Sequence, residues 1–240
     1  MKIVISPAKN FKKVSNIKTS PLIFKEQSQT LVRYMKEKSM SEIGNIFKLN
    51  DGLTEKVYYD YQEFDFDHLD SPAIFTYDGL VFKQFDIDDF DDLEYLNQRV
   101  YIFSALYGAL KPLTGIRPYR LDMMIKDIDM YDFWKDEVKK EIFKDDNLVL
   151  NLASKEYSKL LSPFLDEDQR MITLNFKDYK NGKARTVVAW AKQMRGFMLK
   201  HLIQNKIETI DEIKGIKMEG YEYDPYLSKK DELTFIRRQE

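Results

Sequence analysis

The sequence contains no cysteine and only two histidines, His68 and His201, in 240 residues. Without thiols there is no thiol peroxidase, no disulfide framework, no Cys-ligated zinc and no Cys-held iron–sulfur cluster. Each histidine stands alone, with no second imidazole three or four positions away, so a metal site would have to be built from oxygen. Apolar runs long enough to cross a bilayer are missing too. Met1–Asn10 lacks the apolar core and small-residue cleavage site of a secretion signal, so a cytoplasmic protein is expected. No Walker loop, dinucleotide-binding glycine fingerprint or nucleophile elbow occurs, and no cofactor is expected.

What is present is enough apolar and aromatic material, 43% and 14%, to build a core in one compact domain. The net charge of −2 conceals a segregation. Residues 1–50 carry ten Lys and Arg against three Asp and Glu, whereas residues 51–100 carry three against fourteen. A basic surface and an acidic one can therefore coexist on this molecule.

Lys2–Ile5 reads as a strand stopped by Ser6-Pro7, which leaves Ser6 and Lys9 just past its end. Residues 22–38 have helical spacing, Ser39 and Glu42 form a capping box for the next helix, and residues 53–64 resume the pattern after Asn50-Asp51-Gly52. Residues 73–76 and 99–104 are expected as buried strands, with the acidic stretch Asp86–Asp92 between them serving as a helix N-terminal turn. Residues 130–144 should be a helix and 148–152 a strand, with Ser154 capping a short helix that carries Tyr157. Residues 171–176 and 183–190 flank Asn181-Gly182 as a hairpin, 191–205 are helical, Thr209 and Glu212 form a second capping box, and 217–223 with 232–238 close as a hairpin. Strands and helices so mixed imply an α/β (mixed α+β) domain, a sheet surrounded by helices.

The richest segment is Ser104–Met123. It passes from a strand into a loop with prolines, glycines, Tyr107, Tyr119 and the cations Lys111, Arg117 and Arg120. Arginine forks suit phosphate, and the tyrosines either stack on bases or pack the loop from beneath. A structural loop whose arginines pair with Asp122 and other carboxylates accounts for the same residues. Lys192 and Arg195 share one helix face, and Gly196 beside them costs about 1 kcal/mol of helix propensity, which points to a close contact there.

Six ordered motifs carry a resemblance: Ser6-Pro-Ala-Lys9, Leu106–Leu113, Pro118–Met123, Phe133-Trp134, Asn151–Ser154 with Glu156-Tyr157, and Ala191–Gly196. Across nearly the whole chain the sequence resembles the YaaA family of peroxide-stress proteins. That resemblance implies a family-specific α/β fold with a basic cleft, DNA binding, a helix-hairpin-helix element and a role in limiting iron-driven damage under hydrogen peroxide. Here the hairpin would fall within residues 39–64, with Gly52 at its turn.

Three functions follow as expectations. The first is a DNA-binding protein, for duplex or branched DNA, whose cleft gathers Lys9, Lys111, Arg117, Arg120, Lys192 and Arg195 with Tyr107, Tyr119, Ser154 and Tyr157 around phosphates. In the second, an enzyme acts on a nucleotide or nucleobase at the strand ends, glycosidic hydrolysis being the version to test, with Ser6, Tyr77, Asp122 and Asn151 as catalytic candidates. The third is direct iron sequestration by the carboxylates between Asp86 and Asp92.

Overall fold

The computed structural model describes residues 1–14 and 16–238. Strand β1 (Lys2–Ile5) is buried on both faces, as expected of an apolar run in the middle of a parallel sheet. Helices α1 (Lys25–Lys36), α2 (Met40–Phe47) and α3 (Asp51–Gln62) follow, then α4 (Ala73–Thr76), α5 (Leu93–Arg99) and strand β2 (Val100–Ser104). Strand β3 (Gly108–Leu110) returns antiparallel to β2. Next come α6 (Met130–Ile142), β4 (Leu148–Asn151), α7 (Lys155–Ser158), β5 (Arg170–Lys180), β6 (Lys183–Arg185), α8 (Val188–Gln204), α9 (Ile210–Gly215), β7 (Lys217–Met218), β8 (Tyr221–Tyr223) and β9 (Glu232–Arg238).

The strands form one nine-stranded mixed sheet in the order β7-β8-β9-β5-β4-β1-β2-β3, with β6 added to β5. Strands β9, β5, β4, β1 and β2 are parallel neighbours, with Val4 in register with both Tyr101 and Asn151. The fold class is therefore α/β with a mixed sheet, as the sequence pattern implied. The chain goes from β1 to β2 on one side and later places β4 on the other side of β1. This reversal is the topological switch at which open α/β sheets hold ligands, beyond the carboxyl ends of the strands. Behind it, Trp134 of α6 is fully buried and donates its indole N–H to the Ala105 carbonyl at 2.8 Å.

Local chemistry decides the turns. Ser39 and Glu42 make the expected capping box on α2, Thr209 and Glu212 make another on α9, and Asn181 and Gly182 both take positive φ in a two-residue hairpin turn. Four expectations are corrected. Residues 73–76 are a helix rather than a strand, because Ala73 and Ile74 donate to the carbonyls of Thr114 and Pro112 while the Thr76 hydroxyl bonds Pro72. The strand expected over 183–190 ends at Arg185. Val188 already begins α8, whose Ala191, Met194, Met198 and Leu202 are buried at helical spacing. Residues 217–223 do pair antiparallel with 232–238, through β8 and β9 as expected, but as one strand they are corrected: they form a small hairpin, β7–β8, turning at Glu219 and Gly220, and β9 joins β5 in parallel.

The fourth correction concerns residues 39–64. Gly52 lies within α3, which Asn50 caps, and the turn is made by Lys48 in the left-handed conformation. That segment also has more acidic than basic residues, Glu42, Asp51, Glu55, Asp60 and Glu63 against Lys48 and Lys56. Helix pair and turn are present, with the turn at Lys48 rather than at Gly52.

Candidate functional site

A cavity of about 440 Å³ opens at the carboxyl ends of β1 and β4, within the size range of small-molecule sites. Five segments wall it: Ser6–Asn10 after β1, Leu152–Tyr157 after β4, Asp78–Phe82, Tyr119–Asp122, and Lys192 with Arg195 on α8. Most of the residues singled out in the sequence meet here: Ser6, Lys9, Tyr119, Arg120, Asp122, Ser154, Tyr157, Lys192 and Arg195 all line it.

The two strand-end loops are tied together by Ser6. Its Oγ accepts the Ser154 backbone N–H at 2.8 Å and donates to the Ser154 hydroxyl at 3.2 Å. Ser154 thus precedes α7 as expected, but its hydroxyl bonds Ser6 instead of capping the helix. Asn151 is buried beneath the loop rather than in the cavity. Its amide bonds Thr173 at 3.0 Å and its oxygen accepts the Ala153 N–H at 2.8 Å, which makes it a positioning residue.

The Arg117–Arg120 loop is pinned by three buried tyrosines. The Tyr107 hydroxyl accepts the Arg117 N–H at 3.1 Å and donates to the Arg117 carbonyl at 3.2 Å, and Tyr61 donates to the Arg120 carbonyl at 2.6 Å. Tyr119 joins Ser104 at 2.8 Å and Tyr77 at 3.0 Å through its hydroxyl. Of the two roles open to Tyr107, packing beneath the loop is the one the geometry takes. Tyr77 is fully buried below the cavity floor, and burial raises its hydroxyl far above the ordinary range; Tyr119 is pushed up to about 12 by the same cause. Neither is poised to exchange a proton near neutrality.

Two expected cations lie elsewhere. Because β3 runs back antiparallel, it carries Lys111 to the opposite end of the strands, where Lys111 and Lys2 both donate to the Gln98 carbonyl. Lys111 sits 3.6 Å over the Tyr101 ring, and burial lowers its amine to about 8. Arg117 lies over the Phe64 ring, away from the cavity.

Besides Asp78, which pairs with Lys83 at 3.4 Å, and the exposed Lys192, the charges lining the cavity fall into two groups. Lys9 pairs with Asp122 at 3.1 Å. Glu156, on the first turn of α7, is half-buried; burial, with the Asp122 charge second, raises its carboxyl above the usual range against the Met123 N–H and Lys9. Arg120 and Arg195 form the other group. Each has a buried Nε without a hydrogen-bond partner, and neither guanidinium enters an ion pair among the described residues. Burial alone acts on Arg195, lowering its affinity for protons. Phe82, Leu80, Val81 and Leu152 supply apolar wall.

Helix α8 reaches this wall through Gly196. A Cβ there would stand 2.2 Å from the Val81 carbonyl oxygen, the close contact that its place in the helix suggested. Glu156 and the Asp78–Phe82 segment were missed as site residues. Glu156 falls two residues after Ser154 in the same strand-end loop, and Asp78-Gly79 is a turn dipeptide; those were the available signals.

Three of the carboxylates between Asp86 and Asp92 are otherwise engaged. Asp86 caps the turn at Ile87–Asp89, Asp89 pairs with Lys200 at 2.7 Å, and Asp92 caps α5 and pairs with Lys206 at 3.0 Å. Among the described residues no group of three His, Cys, Asp or Glu is arranged to hold a metal, so the iron reading has no site in this stretch. Likewise no helix among them is long and apolar enough to cross a membrane.

Comparison with known proteins agrees with the motif resemblance. The chain is 38% identical to a UPF0246 protein of Ligilactobacillus salivarius, over 99% of this chain and all of that protein. It is 34% identical to one of Clostridioides difficile, over 99% of this chain and all of the other, and 35% identical to one of Finegoldia magna, over 99% and 98%. Since the family model described as peroxide stress protein YaaA also matches residues 1–227, the chain belongs to that family.

Proposed function

We propose that this protein binds a phosphate-bearing ligand of nucleotide size in the cavity at the strand ends, either as a free nucleotide or as one unit of a nucleic acid chain. The observation that carries this reading is the pair Arg120 and Arg195, whose buried Nε groups have no protein partner. A buried donor left unpaired destabilises a fold, and a guanidinium fork matches phosphate in both charge and shape. The apolar wall at Leu80–Phe82 and Leu152 suits a base, and the Ser6 and Ser154 hydroxyls suit a sugar.

DNA binding is a second reading, favoured by Lys9 and Lys192, which line the cavity and are exposed to solvent.

Titration calorimetry with nucleoside 5′-monophosphates, inorganic phosphate, and duplex and branched DNA tests the proposal. Arg195→Met and Arg120→Met should each weaken nucleotide binding by about 10- to 100-fold, the worth of a charge-assisted hydrogen bond. Neither variant should lose stability to urea, because each removes an uncompensated buried donor. Unchanged affinity, or a marked loss of stability, would sink the proposal. If DNA is the ligand, its affinity falls with salt, and Lys192→Ala lowers the log–log slope by about one unit.

A further inference from the structure

Within that nucleotide reading, on which this inference rests, we infer that the cavity hydrolyses an N-glycosidic bond, with Glu156 as the proton donor to the departing nucleobase and Asp122 as the carboxylate facing the sugar. The substrate class is a nucleoside 5′-phosphate or a nucleotide unit of a nucleic acid.

Three carboxyls from separate segments line the cavity; Asp78 pairs with Lys83 at 3.4 Å, and the other two, Asp122 and Glu156, have different surroundings. Asp122 has an ammonium partner, Lys9 at 3.1 Å. Glu156 is half-buried and feels the Asp122 charge, which together raise its carboxyl above the usual range; Lys9 and the Met123 N–H oppose this without reversing it. Tyr131 touches only its backbone carbonyl, at 3.0 Å. Two carboxyls with different surroundings in one cavity are the usual equipment for breaking a glycosidic bond.

Other chemistries lack a participant. Ser6 has no base, since its hydroxyl is held by Ser154, His68 lies against Asp65, and His201 lies against Asn205. Tyr77 and Tyr119 are kept protonated by burial.

With phosphate on Arg120 and Arg195, the C1′–N bond breaks and its electron pair stays with the base. The Glu156 proton passes to a base ring nitrogen. The oxocarbenium left at C1′ is stabilised by the Asp122 carboxylate. Water adds its oxygen to C1′ and yields a proton to the Glu156 carboxylate, restoring the acid. One nucleotide and one water give one free base and one sugar 5-phosphate, with no change of oxidation state.

The test incubates the full chain with nucleoside 5′-monophosphates of each base, and with the same nucleotides in a single-stranded oligonucleotide, and measures free base chromatographically beside binding by calorimetry. Base release is expected. It should fall about 100-fold or more in Glu156→Gln while binding is kept, and decline as pH rises through the Glu156 ionisation. Nucleotide binding with no base release by the wild-type protein would overturn this inference and leave the binding proposal standing. Undiminished release by Glu156→Gln would overturn the role of Glu156, and absence of any nucleotide binding would overturn both.

Discussion

Gly196→Ala opposes two effects whose balance depends on the placement of α8. In an isolated helix alanine is better than glycine by about 1 kcal/mol. In the folded protein the new Cβ would lie 2.2 Å from the Val81 carbonyl oxygen and 2.8 and 2.9 Å from Gln84 side-chain carbons. Side-chain carbons rarely come nearer than 3.0 Å to another heavy atom, so the helix and the Val81 segment must separate by about 0.8 Å. The obstacle is backbone, which cannot rotate away, and such overpacking costs about 1–3 kcal/mol. The net expectation is a loss of up to about 2 kcal/mol, read as a lower urea midpoint with unchanged slope. Displacement of α8 also moves Lys192 and Arg195, so ligand affinity should fall with stability. Gly52→Ala is the control: it lies in the first turn of α3 with nothing within 4 Å of the point its new methyl group would occupy, and stability should rise by up to about 1 kcal/mol. If Gly196→Ala were stabilising like the control, with affinity unchanged, the packing of α8 against Val81 would be wrong.

Tyr107→Phe removes the hydroxyl that bonds both backbone groups of Arg117, leaving them unsatisfied; a loss of about 1–3 kcal/mol in urea denaturation is expected, with weaker nucleotide binding although Tyr107 does not line the cavity. Unaltered stability would show that the loop needs no such pin. Lys111 titrates near 8 in the folded protein against 10.5 in the unfolded chain, through burial and the nearby Lys2 and Lys144, with Glu141 and Asp145 opposing. The unfolded chain binds the extra proton between those values, so wild-type stability should rise with pH across that window relative to Lys111→Met. Parallel stability profiles for the two proteins would refute the assignment.

Much of the local structure was legible because its chemistry lies within a few residues. The capping boxes at Ser39–Glu42 and Thr209–Glu212 and the Asn181-Gly182 turn depend on neighbours three positions apart or fewer, and each formed as read. Ser6 and Ser154 could be placed just past strand ends because Pro7 and the polar residues after Leu152 stop the strands. The helix at residues 73–76 could not be foreseen from a short apolar run, which serves strand and helix alike; carbonyls of Pro112 and Thr114, distant in sequence, made that choice.

By itself, then, the sequence determined the α/β class, the two capping boxes, the Asn181-Gly182 turn and the family, all of which depend on local spacing or on ordered motifs. Only the tertiary structure decided which charges share a site. It removed Lys111 because β3 runs antiparallel to β2 and carries it to the opposite end of the strands. It brought Glu156 beside Asp122, because the β4 loop and the Tyr119–Asp122 loop converge on the same end of the sheet. Strand direction and order set those distances, and neither is written in the spacing of residues along the chain.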